Sequence, residues 1–211
     1  MSSAAQPRTP PPASWRLRTA VPAPEVDLDA AERADAALLI ALGLWVDGES
    51  MGETPRRMAH ALAEMLTVPT FEFTTFENPE RYDELVLVED IPVRSMCEHH
   101  MLPFIGVAHV GYLPGDRILG LSKFARLVDF YARRPQTQER MTTQIVEHLR
   151  THLHPRGVGV VISAQHTCMS LRGARAESTR TVTSALRGHL RADPAARAEF
   201  LHLTRHDTAS A

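Results

Sequence analysis

The sequence predicts an α+β fold in which antiparallel strands flank two helices. Two adjacent apolar segments, 84–94 and 103–113, have the composition of strands. The short turn between them indicates an antiparallel pair. Two amphipathic helical patterns, beginning at Ser122 and Pro135, then precede a third strand over 157–172. We therefore expect an antiparallel sheet with two long helices, preceded by N-terminal helices.

The composition favours one domain and excludes several classes of function. The chain has 211 residues, 44% of them hydrophobic, and a net charge of −2. This charge gives no indication of a nucleic-acid-binding face. The sequence has no apolar run of the ~18 residues that a membrane span needs. Two cysteines do not make a disulfide scaffold, and reduced thiols fit a cytoplasmic protein.

The N-terminal segment differs from the rest of the chain. Residues 1–26 are rich in Pro, Ala and Ser and have no apolar core of a signal sequence. We expect a disordered tail there, a folded domain over residues 27–207 and a second short tail over 208–211.

The domain is predicted to begin with two helices. Asp27 or Asp29 can cap the first, which ends at Gly43. Thr54 as N-cap and Pro55 at the next position open the second. The segment 71–81 that follows is expected to be a loop, and the strand 84–94 then leads into a cysteine-containing turn.

Both cysteines have histidines close by in the sequence. Cys97 lies in the segment Ser-Met-Cys-Glu-His-His, which ends at His100, and Cys168 follows His166 by two residues. Cys and His are preferred zinc ligands, so the two clusters indicate two halves of one metal site. The alternative is a pair of buried free cysteines with incidental histidines. On a strand, His166 and Cys168 would share one face.

Two helix starts carry polar groups suited to a nucleotide. Ser122 is a predicted N-cap, with Lys123 and Arg126 on one face of the first turn, which suits a phosphate group. Ordinary capping with two surface cations explains the same pattern. In the next helix Gln138 falls on the buried side and needs a partner. Glu139 can either recognise the donor edge of a base or interact favourably with the helix dipole.

Four segments together resemble the signatures of the GTP cyclohydrolase I family. They are Gly-Leu-Ser-Lys at 120–123, Arg-Pro-Gln-Thr-Gln-Glu-Arg at 134–140, Ser-Met-Cys-Glu-His-His at 95–100 and Gln-His-Thr-Cys at 165–168. The resemblance extends from about residue 27 to the C-terminal helix. It implies the tunnelling fold, with two long helices on one face of an antiparallel sheet, and a toroidal homodecamer.

The resemblance also implies an activity: GTP and water become 7,8-dihydroneopterin triphosphate and formate, at the start of tetrahydrofolate or pterin biosynthesis. It assigns zinc to Cys97, His100 and Cys168, and proton transfer to His99 and His166. It assigns guanine recognition to Glu139 with Gln138 beside it. It assigns the triphosphate to Ser122, Lys123, Arg126 and Arg172, with Arg57 supplied by a neighbouring subunit.

Two other interpretations remain at this point. A related enzyme of deazapurine or modified-pterin synthesis would begin with the same step on GTP. A non-catalytic zinc module would close the metal site with a fourth protein ligand, which would have to be His99, His166 or a carboxylate. Such a module would have no need of Lys123, Gln138, Glu139 and Arg172 together. Thr167 and Ala174 depart from the residues expected in many relatives, but neither replaces a reacting group.

Overall fold

The computed structural model describes residues 16–19 and 25–205. Among these residues the helices are α1 (Leu28–Ala41), α2 (Thr54–Leu66), α3 (Ser122–Ala132), α4 (Gln138–Leu153), α5 (Thr167–Ser170), α6 (His189–Ala192) and α7 (Pro194–Leu203). The strands are β1 (Arg16–Thr19), β2 (Phe71–Glu77), β3 (Val86–Cys97), β4 (Pro103–Leu113), β5 (Arg117–Leu119), β6 (Pro135–Gln136), β7 (Gly157–His166) and β8 (Thr181–Gly188). No helix within these ranges is both long and apolar enough to cross a membrane.

The main sheet has five strands in the order β6-β3-β4-β7-β8. The pairs β3–β4, β4–β7 and β7–β8 are antiparallel, and only the two-residue strand β6 pairs in parallel, with the end of β3. Helices α3 and α4 come between the first and second strand pairs in the chain. The predicted α+β fold with two long helices beside an antiparallel sheet is confirmed.

One face of the sheet and the two long helices form the main core. Val93, Val110 and Val160 contribute from three neighbouring strands, and Phe124 and Ile145 from α3 and α4. All five side chains are fully buried. The apolar side chains of these strands therefore pack against the two helices on one face of the sheet.

A second, smaller core lies on the opposite face of the sheet and contains Phe200 of α7. The Phe200 ring lies against Gly111 of β4 and Gly159 of β7. A Cβ atom at these glycines would lie 2.9 Å and 2.7 Å from ring carbons. Their lack of a side chain lets α7 pack directly on the sheet. This helix begins after Asp193, whose side chain accepts a hydrogen bond from the Ala196 amide.

A separate three-stranded sheet corrects the predicted loop over 71–81. Its order is β1-β2-β5, and Phe71, Phe73 and Thr75 of β2 alternate inward. That period of two was present in the sequence and is typical of a strand with one buried face.

The segment expected to be a disordered tail also contributes to this small sheet. Residues 16–19 form β1, which pairs with β2. The composition of a segment indicates whether it can form a hydrophobic core of its own. It does not exclude an edge strand, because such a strand can be held by backbone hydrogen bonds to its neighbour. Residues 1–15, 20–24 and 206–211, which include the second predicted tail, lie outside the described residues.

Aromatic side chains join the small sheet to the long helices. The ring of Phe73 lies 5.1 Å from that of His148 on α4, and the Tyr131 hydroxyl lies 3.0 Å from His148 Nδ1. Burial, with a smaller contribution from His152, lowers the pKa of His148 to about 4. This imidazole is therefore neutral in the folded protein near neutral pH.

The predicted N-terminal helices are present, with one change at a cap. Asp27 caps α1 by accepting from the Ala30 amide, and Gly43 has φ +80° after the helix ends. In α2 the N-cap is Glu53, so Thr54 is already helical and Pro55 is the second helical residue. The Thr54 hydroxyl makes no capping bond and faces the Met51 sulfur instead.

Candidate active site

The first part of the site is the tight turn between β3 and β4. The Cys97 amide donates to the Leu102 carbonyl at 2.8 Å, and the Met101 amide donates to the Cys97 carbonyl at 2.8 Å. Met101 has φ +52°, which lets the chain reverse within a few residues. The turn therefore presents Cys97 and His100 from one end of the sheet.

The second part arrives from β7, and its geometry corrects a prediction. The strand expected to continue to residue 172 ends at His166, and Cys168 lies in the short helix α5. The Thr167 hydroxyl donates to the Pro103 carbonyl at 2.6 Å. The Leu171 amide donates to the Thr167 carbonyl at 3.0 Å, which closes a helical turn. This turn places Cys168 beside the β3–β4 turn.

Three of the predicted ligands then meet. The ligand atoms of Cys97, His100 and Cys168 all lie within 4.8 Å of one another. The two sulfurs are 3.9 Å apart, and Cys97 Sγ is 4.0 Å from His100 Nδ1. Sulfur ligands of a tetrahedral zinc lie about 3.8 Å apart, given Zn–S bonds of about 2.3 Å. The donor set and its spacing therefore fit zinc, and the sulfurs are too far apart for a disulfide.

The electrostatic environment of Cys168 links the metal group to Arg172. Burial and the adjacent Cys97 thiol raise the pKa of the Cys168 thiol, and the positive charge of Arg172 opposes this. Both cysteines are buried, whereas His100 is exposed. The group is therefore open to solvent on its histidine side.

The metal turn is braced by the start of α4, which sequence reasoning missed. The Arg140 guanidinium bonds to the Glu98 carboxylate and to Gln136 Oε1, and the Glu98 amide donates to the Gln136 carbonyl. Pro135 and Gln136 form β6 instead of the predicted first turn of the helix, which begins at Gln138.

His166 lies at the end of β7 with its ring held on two sides. The Phe104 ring stacks on it with centroids 4.6 Å apart, and Gln138 Oε1 lies 2.8 Å from its Nε2. Burial lowers the pKa of His166, and the charge of Glu139 acts in the opposite direction. Glu139 directly follows Gln138 at the start of α4, and its side chain is exposed.

Gln138 is buried, as predicted, and its partners are now identified. Its amide nitrogen lies within hydrogen-bonding distance of Ile162 O, Thr181 O and Thr183 Oγ1, at 2.9 to 3.1 Å. Its oxygen faces His166, so the structure places this side chain against the histidine. Its place beside Glu139 in guanine recognition stays a prediction.

His99 borders the metal group from the solvent side. Its Nδ1 lies 3.8 Å from Cys97 Sγ, and its Nε2 lies 3.9 Å from a Glu98 carboxylate oxygen. The side chain is largely exposed. His99 therefore lies beside the predicted metal ligands and is accessible to a small molecule from solvent.

The predicted capping role of Ser122 is wrong. Leu121 is the N-cap and already has helical dihedral angles, and Ser122 makes no capping bond. The amides of Lys123 and Phe124 donate to the carbonyls of Gly120 and Leu121. These two amides are therefore not available to a phosphate group, and any anion at this helix start would be held mainly by side chains.

The other predicted phosphate residues come from α2, α3 and the segment after α5, and the three arginines among them are exposed. Arg126 lies on α3, Arg172 follows α5, and Arg57 lies in the first turn of α2. Lys123 is partly exposed. Of these cations, Arg172 is linked to the metal group by its effect on Cys168.

A Cys-His-Cys group beside a histidine and a carboxylate is typical of a metal-dependent hydrolase. The sequence profile of GTP cyclohydrolase I matches residues 31–205. GTP cyclohydrolase 1 of Streptomyces avermitilis is 52% identical over 186 residues, covering 85% of this chain and 91% of the relative. The enzyme of the same name from Streptomyces griseus subsp. griseus is 54% identical, covering 82% and 89%. That from Mycolicibacterium gilvum is 50% identical, covering 85% and 92%. The chain belongs to the GTP cyclohydrolase I family and is an enzyme of that family.

Proposed function

We propose that this protein hydrolyses GTP to 7,8-dihydroneopterin triphosphate and formate, with zinc as cofactor, as the first step of tetrahydrofolate or pterin biosynthesis. The observation that carries the proposal is the meeting of Cys97, His100 and Cys168 within 4.8 Å. His166 lies two residues before Cys168, and Gln138, which directly precedes Glu139, lies 2.8 Å from His166. A metal group beside a proton-transfer residue and a base-recognition carboxylate is the arrangement that hydrolysis of a guanine ring requires.

Cys97, His100 and Cys168 would hold the zinc ion, and three protein ligands leave a coordination position for water or substrate. Bound there, zinc supplies a Lewis acid and a water molecule of lowered pKa. Binding also ionises the thiols, so zinc uptake should release protons. The brace from Arg140 to Glu98 keeps the turn with two of the ligands in place.

Glu139 would accept hydrogen bonds from guanine N1–H and the 2-amino group. A carboxylate suits that edge because it offers only acceptors to two donors. Ring opening, loss of formate and reclosure need several proton transfers near neutral pH. His166 and His99 would carry these, since imidazole exchanges protons in that range.

The triphosphate would be bound by Ser122, Lys123, Arg126 and Arg172, with Arg57 supplied by another copy of the chain. The support for this is that all four cations lie on accessible surface and that Arg172 lies near the metal group. Three of these residues share the start of α3, whereas Arg172 follows α5 and Arg57 lies on α2, so together they suit a long, flexible anion.

We further propose that the protein assembles as a homo-oligomer, a toroidal decamer by resemblance to the family. Large apolar side chains at the end of α1 and just beyond it favour a partner, namely Leu38, Ile40, Leu42 and Trp45, which is 82% exposed. Within the described residues β8 pairs only with β7. Pairing of that edge with another copy would cover it.

The test is to incubate zinc-loaded protein with GTP and to measure formate together with the oxidised, fluorescent neopterin product. Equal amounts of both would support the complete reaction. Formate without neopterin would indicate an enzyme that stops at an opened intermediate. Neither product, with zinc bound at one ion per chain, would contradict the proposal.

A further inference from the structure

The hydrogen bonds around Gln138 determine which way its amide group faces. The NH₂ group lies 3.0 Å from Ile162 O and 2.9 Å from Thr181 O. Carbonyl oxygens only accept hydrogen bonds. The opposite orientation would place Gln138 Oε1 against both carbonyls, so the amide nitrogen must face them and Oε1 must face His166.

The same argument locates the proton on His166. Its Nε2 lies 2.8 Å from Gln138 Oε1, which can only accept. A hydrogen bond at this distance therefore needs a proton on Nε2. In the neutral ring, which carries one proton, Nδ1 is then the nitrogen with a free lone pair.

Two threonine hydroxyls connect the hydrogen bonds of Gln138 to β8. Thr142 Oγ1 lies 2.7 Å from the main-chain carbonyl oxygen of Gln138 and 2.7 Å from Thr183 Oγ1. Thr142 donates to the carbonyl, so its oxygen accepts from the Thr183 hydroxyl. Thr183 Oγ1 lies 3.1 Å from the Gln138 amide nitrogen, which is the longest of that nitrogen's three contacts. Because the NH₂ group carries two protons, one of them is shared between Thr183 Oγ1 and a carbonyl oxygen.

We propose that Gln138 is a positioning residue that holds neutral His166 as the Nε2–H tautomer, and that Thr183 holds Gln138 in turn. The inference rests on the proposed function insofar as His166 is the proton-transfer residue. Its consequence is that Nδ1 of His166 is the atom that accepts a proton from the reacting molecule. The stacked Phe104 ring keeps the imidazole plane fixed while this occurs.

The direct test is magic-angle-spinning NMR of the zinc-loaded protein carrying ¹³C,¹⁵N-labelled histidine, without GTP. The pH should be about 8, where an ordinary imidazole is neutral. Subtraction of the spectrum of His166→Gln assigns the His166 signals. We expect the protonated nitrogen to be the one bonded to Cδ2, which is Nε2, and we expect Gln138→Leu to yield a mixture of tautomers. A proton on Nδ1 in the unsubstituted protein would overturn the inference.

Kinetics of a matched pair at residue 183 provides a second test that leaves Gln138 in place. Thr183→Val removes the hydroxyl with little change of shape, and Thr183→Ser retains it. We expect Thr183→Val to lower kcat on the order of 10-fold with little change in KM, since supporting shells of this kind are worth about 10- to 100-fold. Thr183→Ser should restore most of that loss. Ser184→Ala, an exposed position on the same strand, is the control.

The two tests separate this inference from the proposed function. An active protein with equal kcat in Thr183→Val and Thr183→Ser would overturn the role of Thr183. A protein that makes no formate, yet shows His166 as the Nε2–H tautomer, would contradict the proposed function and support the tautomer assignment.

Discussion

The two ends of the candidate site are built differently. The base end consists of side chains that are held by other parts of the same chain, namely Cys97, Cys168, Gln138 and His166. The proposed phosphate end consists of exposed or partly exposed side chains, namely Ser122, Lys123 and Arg126 of α3 and Arg172 after α5. One end is thus ordered before any ligand arrives, and the other depends on a ligand or a second copy of the chain.

Burial explains the difference. A buried polar group without a partner costs about 1–3 kcal/mol, so Gln138 and His166 must satisfy each other within the fold. An exposed ammonium or guanidinium is satisfied by water and needs no such arrangement. We therefore expect substitutions at the base end to affect kcat, and those at the phosphate end to affect KM in a salt-dependent way.

The largest effect is expected from Cys168→Ala. Loss of one sulfur ligand should remove zinc and turnover together. Changes in the shell around a metal already cost about 10- to 100-fold in affinity, and removal of a ligand should cost more. Metal analysis and the formate assay on one preparation check this. Ser170→Ala in the same short helix is the control, and zinc retained at one ion per chain would contradict the ligand assignment.

His166→Ala should separate metal binding from catalysis. The variant should keep its zinc and lose roughly 10²- to 10⁴-fold in kcat, the usual contribution of general acid–base catalysis. Zinc content and steady-state kinetics are the measurements. His202→Ala on α7 is the matched substitution away from the site. A loss of zinc in His166→Ala would mean that a ligand has been mistaken for a proton-transfer residue.

Glu139→Gln tests base recognition at the border between the two ends. The amide would place an NH₂ group opposite a guanine donor, so we expect kcat/KM for GTP to fall roughly 100-fold, as for a lost charged hydrogen bond. The same substitution at Glu147, farther along α4, should have little effect on kcat/KM. Unchanged kinetics in Glu139→Gln would remove this residue from the site.

The sequence predicted the residues of the base end better than the contacts that hold them in place. The three metal ligands could be proposed because Cys and His at short spacing have few other uses. The buried position of Gln138 followed from helical periodicity. Its partners could not be predicted, because contact with His166 and Thr183, which are 28 and 45 residues away in the chain, depends on the register of β7 and β8.

Errors in the predicted elements arose where local signals compete. Pro135 is typical of a helix start, yet Pro135 and Gln136 pair with the end of β3 and the helix begins three residues later. Ser122 is a good N-cap residue, but Leu121 adopts helical angles first. In the first case, strand pairing with β3 replaces the first helical turn. In the second, backbone carbonyls accept the amide hydrogen bonds that a capping side chain would have accepted.

The smallest effect is expected from Lys123→Ala, which tests the phosphate end. An exposed cation with one phosphate contact should raise KM for GTP roughly tenfold with kcat nearly unchanged. The difference in KM from the unsubstituted protein should shrink as salt is added, because salt screens exposed charges.

Lys123 is the only lysine in the sequence, so an amine-reactive ester followed by peptide mass spectrometry reports on this one side chain. Bound GTP should slow its modification, whereas guanosine, which lacks the phosphates, should not. Equal protection by both would mean that Lys123 lies at the base end instead.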